Sequence, residues 1–212
     1  METEKVKTKK LIKAWLQLHG ELENDHQRFC QLVSQKLTFK GSCSLGEFEN
    51  DQLPMRRLKR LAKKRPPVHF NEEHQIDGVA GLSLRETAHR IEGLKVPAYA
   101  VSAWEALLSP FLLGSETNIA STCKISEKPI SITIGPMGYE TPSEDLFFSF
   151  LPQELWTHDH LYRSSDWSHF LQGTESAEKY LDLHPEHLAI PLAKGFQFAR
   201  GVFAGLYPLF AH

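Results

Sequence analysis

Apolar residues recur every three or four positions in the first part of the chain, the spacing of amphipathic helices. This pattern predicts helices over residues 6–19, 25–37 and 54–64, with a shorter helix near 44–50. In the third helix one apolar face is surrounded by Lys and Arg. The first part of the chain is therefore predicted to be mainly helical, up to the two prolines that end the third helix.

Short strand-like segments follow the prolines. Residues 68–70 and 79–82 are predicted to pair as a hairpin across a polar turn at 71–78, and residues 88–91 add another strand. Helices followed by a hairpin are the outline of a winged helix-turn-helix. A linker near 92–96 is then predicted to divide the chain.

The pattern therefore predicts two domains, an N-terminal winged-helix-like domain over 1–92 and a second domain over 93–212. In the second domain a helix is expected over 97–108, stopped by Ser109 and Pro110. Strands are expected over 117–123, 129–135 and 145–151, an irregular segment over 157–175, and a buried helix over 192–210. The predicted fold class is α+β.

Composition is ordinary for a globular protein and limits the class of function. The chain has 212 residues, of which 41% are hydrophobic and 24% charged, and it contains no apolar run of about eighteen residues. A membrane span is therefore not expected. The three cysteines, Cys30, Cys43 and Cys123, are widely separated, which favours a reducing cytoplasm over a disulfide framework.

Charge is distributed unevenly. Residues 1–70 hold 15 Lys and Arg against 8 Asp and Glu, whereas residues 71–212 hold 9 against 18. The basic helix could contact DNA phosphates through Arg56, Arg57 and Arg60. The alternatives are a solvated helix face and a face docked on the acidic half of the chain.

Several polar residues could carry chemistry on their own. His158, Asp159 and His160, with Asp166 and His169, could bind a divalent metal or form a polar surface loop. The segment His184-Pro185-Glu186-His187 is a weaker metal candidate. Cys123, on a predicted strand, is either a small buried apolar residue or a reactive thiol.

A longer set of segments resembles one enzyme family. The segments are Gly81-Leu82-Ser83-Leu84-Arg85-Glu86-Thr87, Tyr99-Ala100-Val101-Ser102-Ala103-Trp104-Glu105, Ala120-Ser121-Thr122-Cys123, Pro129-Ile130-Ser131-Ile132-Thr133, Leu151-Pro152-Gln153-Glu154, His169-Phe170 and Leu188-Ala189-Ile190. Together they resemble the organomercurial (alkylmercury) lyases. The resemblance covers roughly residues 45–201 and implies a mixed sheet with helices after the winged-helix-like part.

The resemblance also implies a reaction. Members of the family cleave a carbon–mercury bond: two cysteine thiolates bind mercury and an aspartate delivers a proton to the leaving carbon. Mercury is soft and prefers thiolate ligands. A carboxyl group within reach can relay the proton.

This sequence departs from the family at the positions that matter most. The first cysteine falls on Ser102, the acid on Glu105, and the second cysteine on Ser165, or on Ser164 with a shift of one residue. Cys123 matches a family cysteine outside the catalytic pair. The resemblance therefore predicts a retained pocket lined by hydroxyl and carboxylate oxygens.

The leading expectation is a protein of this fold with altered or absent lyase activity that binds a small molecule or an organometal species and needs no cofactor. Ser102, Glu105 and Ser165 would form its site, with Cys123 and His169 as weaker metal candidates. One alternative is a weakly active lyase that uses Cys123 and Glu105. Others are a DNA-binding regulator and a serine hydrolase with His169 as base.

Overall fold

The computed structural model describes residues 4–19, 24–50, 53–64, 68–135, 137–143, 145–157, 165 and 167–206. The α-helices in these ranges are α1 (Glu4–His19), α2 (Asn24–Lys40), α3 (Met55–Leu61), α4 (Ala103–Leu113), α5 (Thr174–Leu183) and α6 (Leu192–Leu206). Short 3-10 helices occur at Leu45–Phe48 and Gln153–Leu155. The three predicted N-terminal helices are therefore present, with ends that differ by a few residues.

Two antiparallel sheets accompany the helices. The larger contains β1 (Val68–Phe70), β2 (Ile76–Val79), β3 (Leu82–Ser83), β4 (His89–Glu92), β5 (Ala98–Ala100), β6 (Thr117–Thr122), β7 (Pro129–Ile134) and β8 (Tyr139–Glu140), in the order β1-β2-β3-β5-β4-β6-β7-β8. The smaller contains β9 (Leu146–Phe150), β10 (Phe170–Gln172) and β11 (Leu188–Pro191), in the order β10-β9-β11. The α+β class is confirmed.

The hairpin after α3 differs from its prediction. β1 pairs with β2, so Val79 lies opposite Val68 within the predicted partner segment, but the strand extends back to Ile76, which pairs with Phe70 inside the predicted polar turn. β2 also pairs with β3, and β3 with β5, so the hairpin forms one edge of the larger sheet. The winged-helix assignment and the division into 1–92 and 93–212 stay predictions.

The helix expected over 97–108 is wrong at both ends. Residues 98–100 form strand β5, and α4 continues through Pro110 to Leu113. Proline lacks the N–H that would bond the carbonyl four residues earlier, which is that of Ala106. The Ser109 hydroxyl donates to this carbonyl instead, at 2.8 Å. A neighbouring side chain thus supplies the hydrogen bond that Pro110 cannot make.

One further prediction needs correction, and another is confirmed over the described residues. The segment 157–175 is not irregular throughout, since β10 and the start of α5 lie within it. The C-terminal helix is described from Leu192 to Leu206, although it contains three glycines. No helix among the described residues is long and apolar enough to cross a membrane.

Aromatic side chains from distant parts of the sequence meet in the core. Trp15 of α1 lies 5.2 Å from Trp104 of α4 and 5.5 Å from Phe150 of β9, measured between ring centroids. It also contacts Trp156 and Phe198, at 4.9 and 5.9 Å. The N-terminal helix therefore completes the core beneath the first turn of α4, where the predicted site residues begin.

Candidate functional site

Ser102 and Glu105 are in contact at the start of α4. Ser102 is the N-cap of this helix, and its hydroxyl oxygen accepts a hydrogen bond from the Glu105 backbone N–H at 3.4 Å. The same hydroxyl donates to the Glu105 carboxylate. Ser102 is fully buried, whereas Glu105 is partly exposed. Ser102 therefore caps the first turn of α4, and the Glu105 side chain bonds the Ser102 hydroxyl rather than the Ser102 backbone N–H that it would bond in a full capping box.

The Glu105 side chain packs against the backbone of Gly81. A Cβ atom on Gly81 would lie 2.0 Å from Glu105 Cγ, so the carboxylate arm packs directly on the glycine backbone. Gly81 has a φ of +82°, a conformation that other residues rarely adopt. Its carbonyl also accepts the Val101 N–H at 2.9 Å. The β2–β3 turn thus determines where Glu105 can lie.

Ser168 accepts hydrogen bonds from two backbone N–H groups in the first turn of α4. Its carbonyl accepts the Ala103 N–H at 3.1 Å, and its hydroxyl accepts the Trp104 N–H at 2.9 Å. Both are N–H groups that a helix cannot satisfy internally at its N-terminus. Ser168 is fully buried. The chain just after Ser165 is therefore attached to the start of α4.

Ser149 of β9 holds the same segment in place. Its hydroxyl donates to the Trp167 carbonyl at 2.7 Å and accepts the His169 N–H at 2.9 Å. The Ser149 N–H in turn donates to the His169 carbonyl at 2.8 Å. Residues 167–169 are thus fixed between the smaller sheet and α4.

The position of Ser165, the third predicted site residue, is less closely defined than those of Ser102 and Glu105. Ser165 is exposed and lies three residues before Ser168, so their Cα atoms are at most about 11 Å apart. Convergence of the Ser165 side chain on Ser102 and Glu105 stays a prediction. Ser164, together with His158, Asp159, His160 and Asp166, lies outside the described residues.

Cys123 lies at the end of β6 in a cradle of N–H donors. Its Sγ accepts the Gln172 N–H at 3.2 Å and the Ser126 N–H at 3.5 Å, and the residue is 1% exposed. Burial raises the pKa of the thiol, but hydrogen bonds from Ser126, Gln172 and Ile125 outweigh it and lower the pKa to about 7. Cys123 is thus buried, as one interpretation of the sequence had it, and its pKa is lowered toward neutral.

Two histidines lie close to the segment that Ser149 holds. The ring of His169 packs edge-on against Tyr180, with centroids 6.0 Å apart. His89, which the sequence analysis did not single out, is 4% exposed, and its Nδ1 is 2.8 Å from the Ser121 hydroxyl. Burial, and to a smaller extent the charge of His169, lowers the pKa of His89 to about 4. His89 is therefore a neutral, buried imidazole at neutral pH.

One arginine of the basic helix α3 forms an ion pair within the protein. Arg57 forms an ion pair with Asp25 of α2. Arg56 and Arg60 are exposed on the same short helix. DNA contact through these three arginines stays a prediction.

The fold and the site define a mixed α+β protein with a hydroxyl and a carboxylate at the buried start of a helix. The sequence model of the alkylmercury lyase family, MerB, matches residues 82–204, which is more than half of the chain. The chain therefore belongs to the alkylmercury lyase family, and the resemblance seen in its sequence is confirmed.

Individual relatives support the same assignment. An alkylmercury lyase of Staphylococcus epidermidis is 28% identical over 149 residues, which cover 69% of this chain and 68% of the relative. An alkylmercury lyase of Pseudomonas putida is 26% identical over 158 residues, covering 74% and 69%. The crystal structure of the mercury-bound form of MerB2 superposes with a TM-score of 0.70 and 18% identity, covering 92% of this chain and 98% of that one. This structural likeness shows a shared fold.

Proposed function

We propose that this protein is an alkylmercury lyase-like protein in which carbon–mercury protonolysis is altered or absent. It binds a small molecule or metal species in a pocket formed by Ser102, Glu105 and Ser165. The observation that supports this proposal is the contact between the Ser102 hydroxyl and the Glu105 carboxylate at the start of α4. The family resemblance implies a cysteine thiol at position 102 and an acid at position 105, and in this chain a hydroxyl and a carboxylate are in contact there.

The chemistry of the two oxygen groups argues against the full family reaction. In that reaction the carbon–mercury bond breaks, its electron pair stays on carbon and takes up a proton, and the mercuric ion remains on two thiolates. A serine hydroxyl keeps its proton near neutral pH and is a hard ligand, so it holds a soft mercuric ion poorly. Glu105 retains a carboxyl group that can carry a proton, but the mercury-binding half of the reaction is weakened.

Activity measurements test the proposal directly. Phenylmercury is incubated with the protein and excess thiol, and benzene and mercuric ion are quantified against the Staphylococcus epidermidis relative. We expect release no faster than in thiol alone. Release at a rate comparable to the relative would contradict the proposal.

A double variant, Ser102→Cys with Ser165→Cys, tests the position of the pocket. If both side chains face Glu105, the variant gains high affinity for mercuric ion and measurable benzene release, because two thiolates then converge on one ion. Each single variant serves as the matched control and should gain much less. A folded double variant with no gain over the single variants would show that Ser165 does not face the Ser102–Glu105 pair.

The alternative of a weakly active lyase is favoured by one observation, the two backbone N–H groups that donate to Cys123 Sγ and lower the pKa of this thiol to about 7. A thiolate near neutral pH could bind mercury, with Glu105 as the proton carrier. This alternative expects slow turnover that Cys123→Ala abolishes. Turnover that survives in Cys123→Ala would exclude it.

The remaining alternatives are tested by simple variants. A serine hydrolase would lose ester hydrolysis in Ser102→Ala. However, the Ser102 hydroxyl bonds the Glu105 carboxylate rather than an imidazole.

A DNA-binding regulator would retard duplex DNA in a gel mobility assay at about 50 mM salt, and it would lose this binding when Arg56, Arg57 and Arg60 are replaced by Ala. A cytoplasmic location, predicted from the cysteines, would be tested by cell fractionation.

A further inference from the structure

Three potential metal ligands come together in the turn between α5 and β11. One nitrogen each of His184 and His187 and a carboxylate oxygen of Glu186 all lie within 4.8 Å of one another. Glu186 Oε1 is 3.3 Å from His187 Nε2 and 4.0 Å from His184 Nδ1. The sequence suggested only a weak metal motif here, because Pro185 disfavours a regular helix.

One pair of these ligand atoms has the spacing of a tetrahedral metal site. With metal–nitrogen and metal–oxygen bonds of about 2.0–2.1 Å, neighbouring ligand atoms are about 3.3 Å apart. The Glu186–His187 pair already has this separation. The longer distance involves His184 and Glu186, whose side chains are 42% and 51% exposed. Small rotations of these exposed side chains would bring all three atoms to one ion.

Tyr180 provides the support that a metal-bound imidazole requires. Its hydroxyl is 2.9 Å from His187 Nδ1, so Nδ1 can donate to the phenol oxygen while the Nε2 lone pair points toward Glu186. Tyr180 is 1% exposed and the His187 side chain 7%, which fixes the orientation of the ring.

We propose that His184, Glu186 and His187 form a binding site for a divalent transition-metal ion of the zinc type, with water at the remaining position. Two imidazoles and one carboxylate suit zinc, cobalt or nickel better than calcium or magnesium, which prefer all-oxygen ligands. No thiol takes part, so the site differs in kind from a mercury site. A bound ion would connect the end of α5 to the start of β11.

Cobalt(II) is the probe, because its visible absorption reports coordination number and ligand type. Titration of the full chain should give one equivalent bound with a tetrahedral or five-coordinate spectrum and no thiolate charge-transfer band. Zinc should displace the cobalt, and isothermal titration should give the affinity.

Variants assign the ion to these residues. His184→Ala and Glu186→Gln alter exposed side chains, so the fold should be kept, and each should weaken cobalt binding at least tenfold. Tyr180→Phe should weaken it by about 10–100-fold, because His187 Nδ1 loses its hydrogen bond to the Tyr180 hydroxyl. His69→Ala, at an exposed histidine on β1, is the matched control and should bind as the wild type does.

Two results would overturn the proposal. One is a wild-type protein that binds no cobalt or zinc at millimolar concentration. The other is unchanged binding in both His184→Ala and Glu186→Gln, which would assign the ion to other histidines or to Cys123.

Discussion

At the scale of single residues, the side chain at position 102 has a structural role in addition to any chemical one. Serine is among the best N-cap residues, because its oxygen accepts a backbone N–H at the start of a helix. Ser102 makes this bond to Glu105 and is fully buried. The Ser102 hydroxyl therefore stabilises the start of the helix that carries Glu105.

Gly81 yields the first prediction. Gly81→Ala should lower the free energy of unfolding by about 3 kcal/mol, because alanine would have a positive φ and its Cβ would overlap the Glu105 side chain. Gly114→Ala is the matched control: its φ is +69° and nothing lies within 4 Å of the added atom. The control should lose only about 1 kcal/mol in the same urea titration. Equal losses would mean that the contact with Glu105 is unimportant.

His89 yields a prediction about pH. Its pKa is lowered from 6.5 to about 4 in the folded protein, so the unfolded chain takes up a proton in this window that the folded chain does not. The free energy of unfolding should therefore fall as the pH decreases from about 6.5 to 4, by up to about 3 kcal/mol from this group.

Comparison of variants isolates the contribution of His89. Chemical unfolding of His89→Gln between pH 4 and 7 should show a shallower pH dependence, because the amide can still bond Ser121 but does not titrate. His69→Gln, at an exposed site, should keep the wild-type slope. A His89→Gln slope equal to that of the wild type would contradict the prediction.

Some of the site was predictable at this scale. The order Ser102-x-x-Glu105 is a capping-box pattern in the sequence, although the expected helix over 97–108 placed Ser102 inside a helix rather than at its start. Ser149 and Ser168 carry no such signal, because their partners lie 18 and 64 residues away in the chain. Only the fold brings those partners together.

At the scale of elements, the close packing of α6 on the smaller sheet depends on a glycine. A Cβ on Gly195 would lie 2.0 Å from a ring carbon of Phe148 on β9, and Phe148 is fully buried. Gly195 thus allows α6 to approach β9 closely.

Gly195→Ala should therefore destabilise the protein by about 1–3 kcal/mol, even though alanine has a helix propensity about 1 kcal/mol better than glycine. Thermal unfolding followed by circular dichroism measures the effect. Gly138→Ala, where nothing lies within 4 Å of the added atom, should be close to neutral. Stabilisation by Gly195→Ala would show that α6 can move away from β9 at little cost.

At the scale of the whole molecule, α1 belongs to the same core as the site. Trp15 contacts rings from α4, from β9 and from α6, and it is 2% exposed. The family model begins only at residue 82, yet a residue far upstream fills the space beneath α4. The first helix therefore contributes to the core beneath the candidate site.

Trp15→Ala should lower the free energy of unfolding by about 3–5 kcal/mol, the range for large aromatic truncations in a core. The near-ultraviolet circular dichroism of the remaining tryptophans should weaken at the same time, because Trp104 and Trp156 lose a neighbouring ring. Leu32→Ala, at a position that is 44% exposed, should change stability by less than about 0.5 kcal/mol. An equally small loss in Trp15→Ala would indicate that α1 folds as a separate unit.

The sequence alone determined the α+β class, the first three helices, the central strand pattern and the family. Each depends on local periodicity or on a run of neighbouring residues. Only the tertiary structure decided that β1 and β2 join the larger sheet, that Ser168 completes the first turn of α4, and that Tyr180 supports the His184–His187 turn. Those contacts join residues on different elements, and a one-dimensional pattern carries no information about which elements pack together.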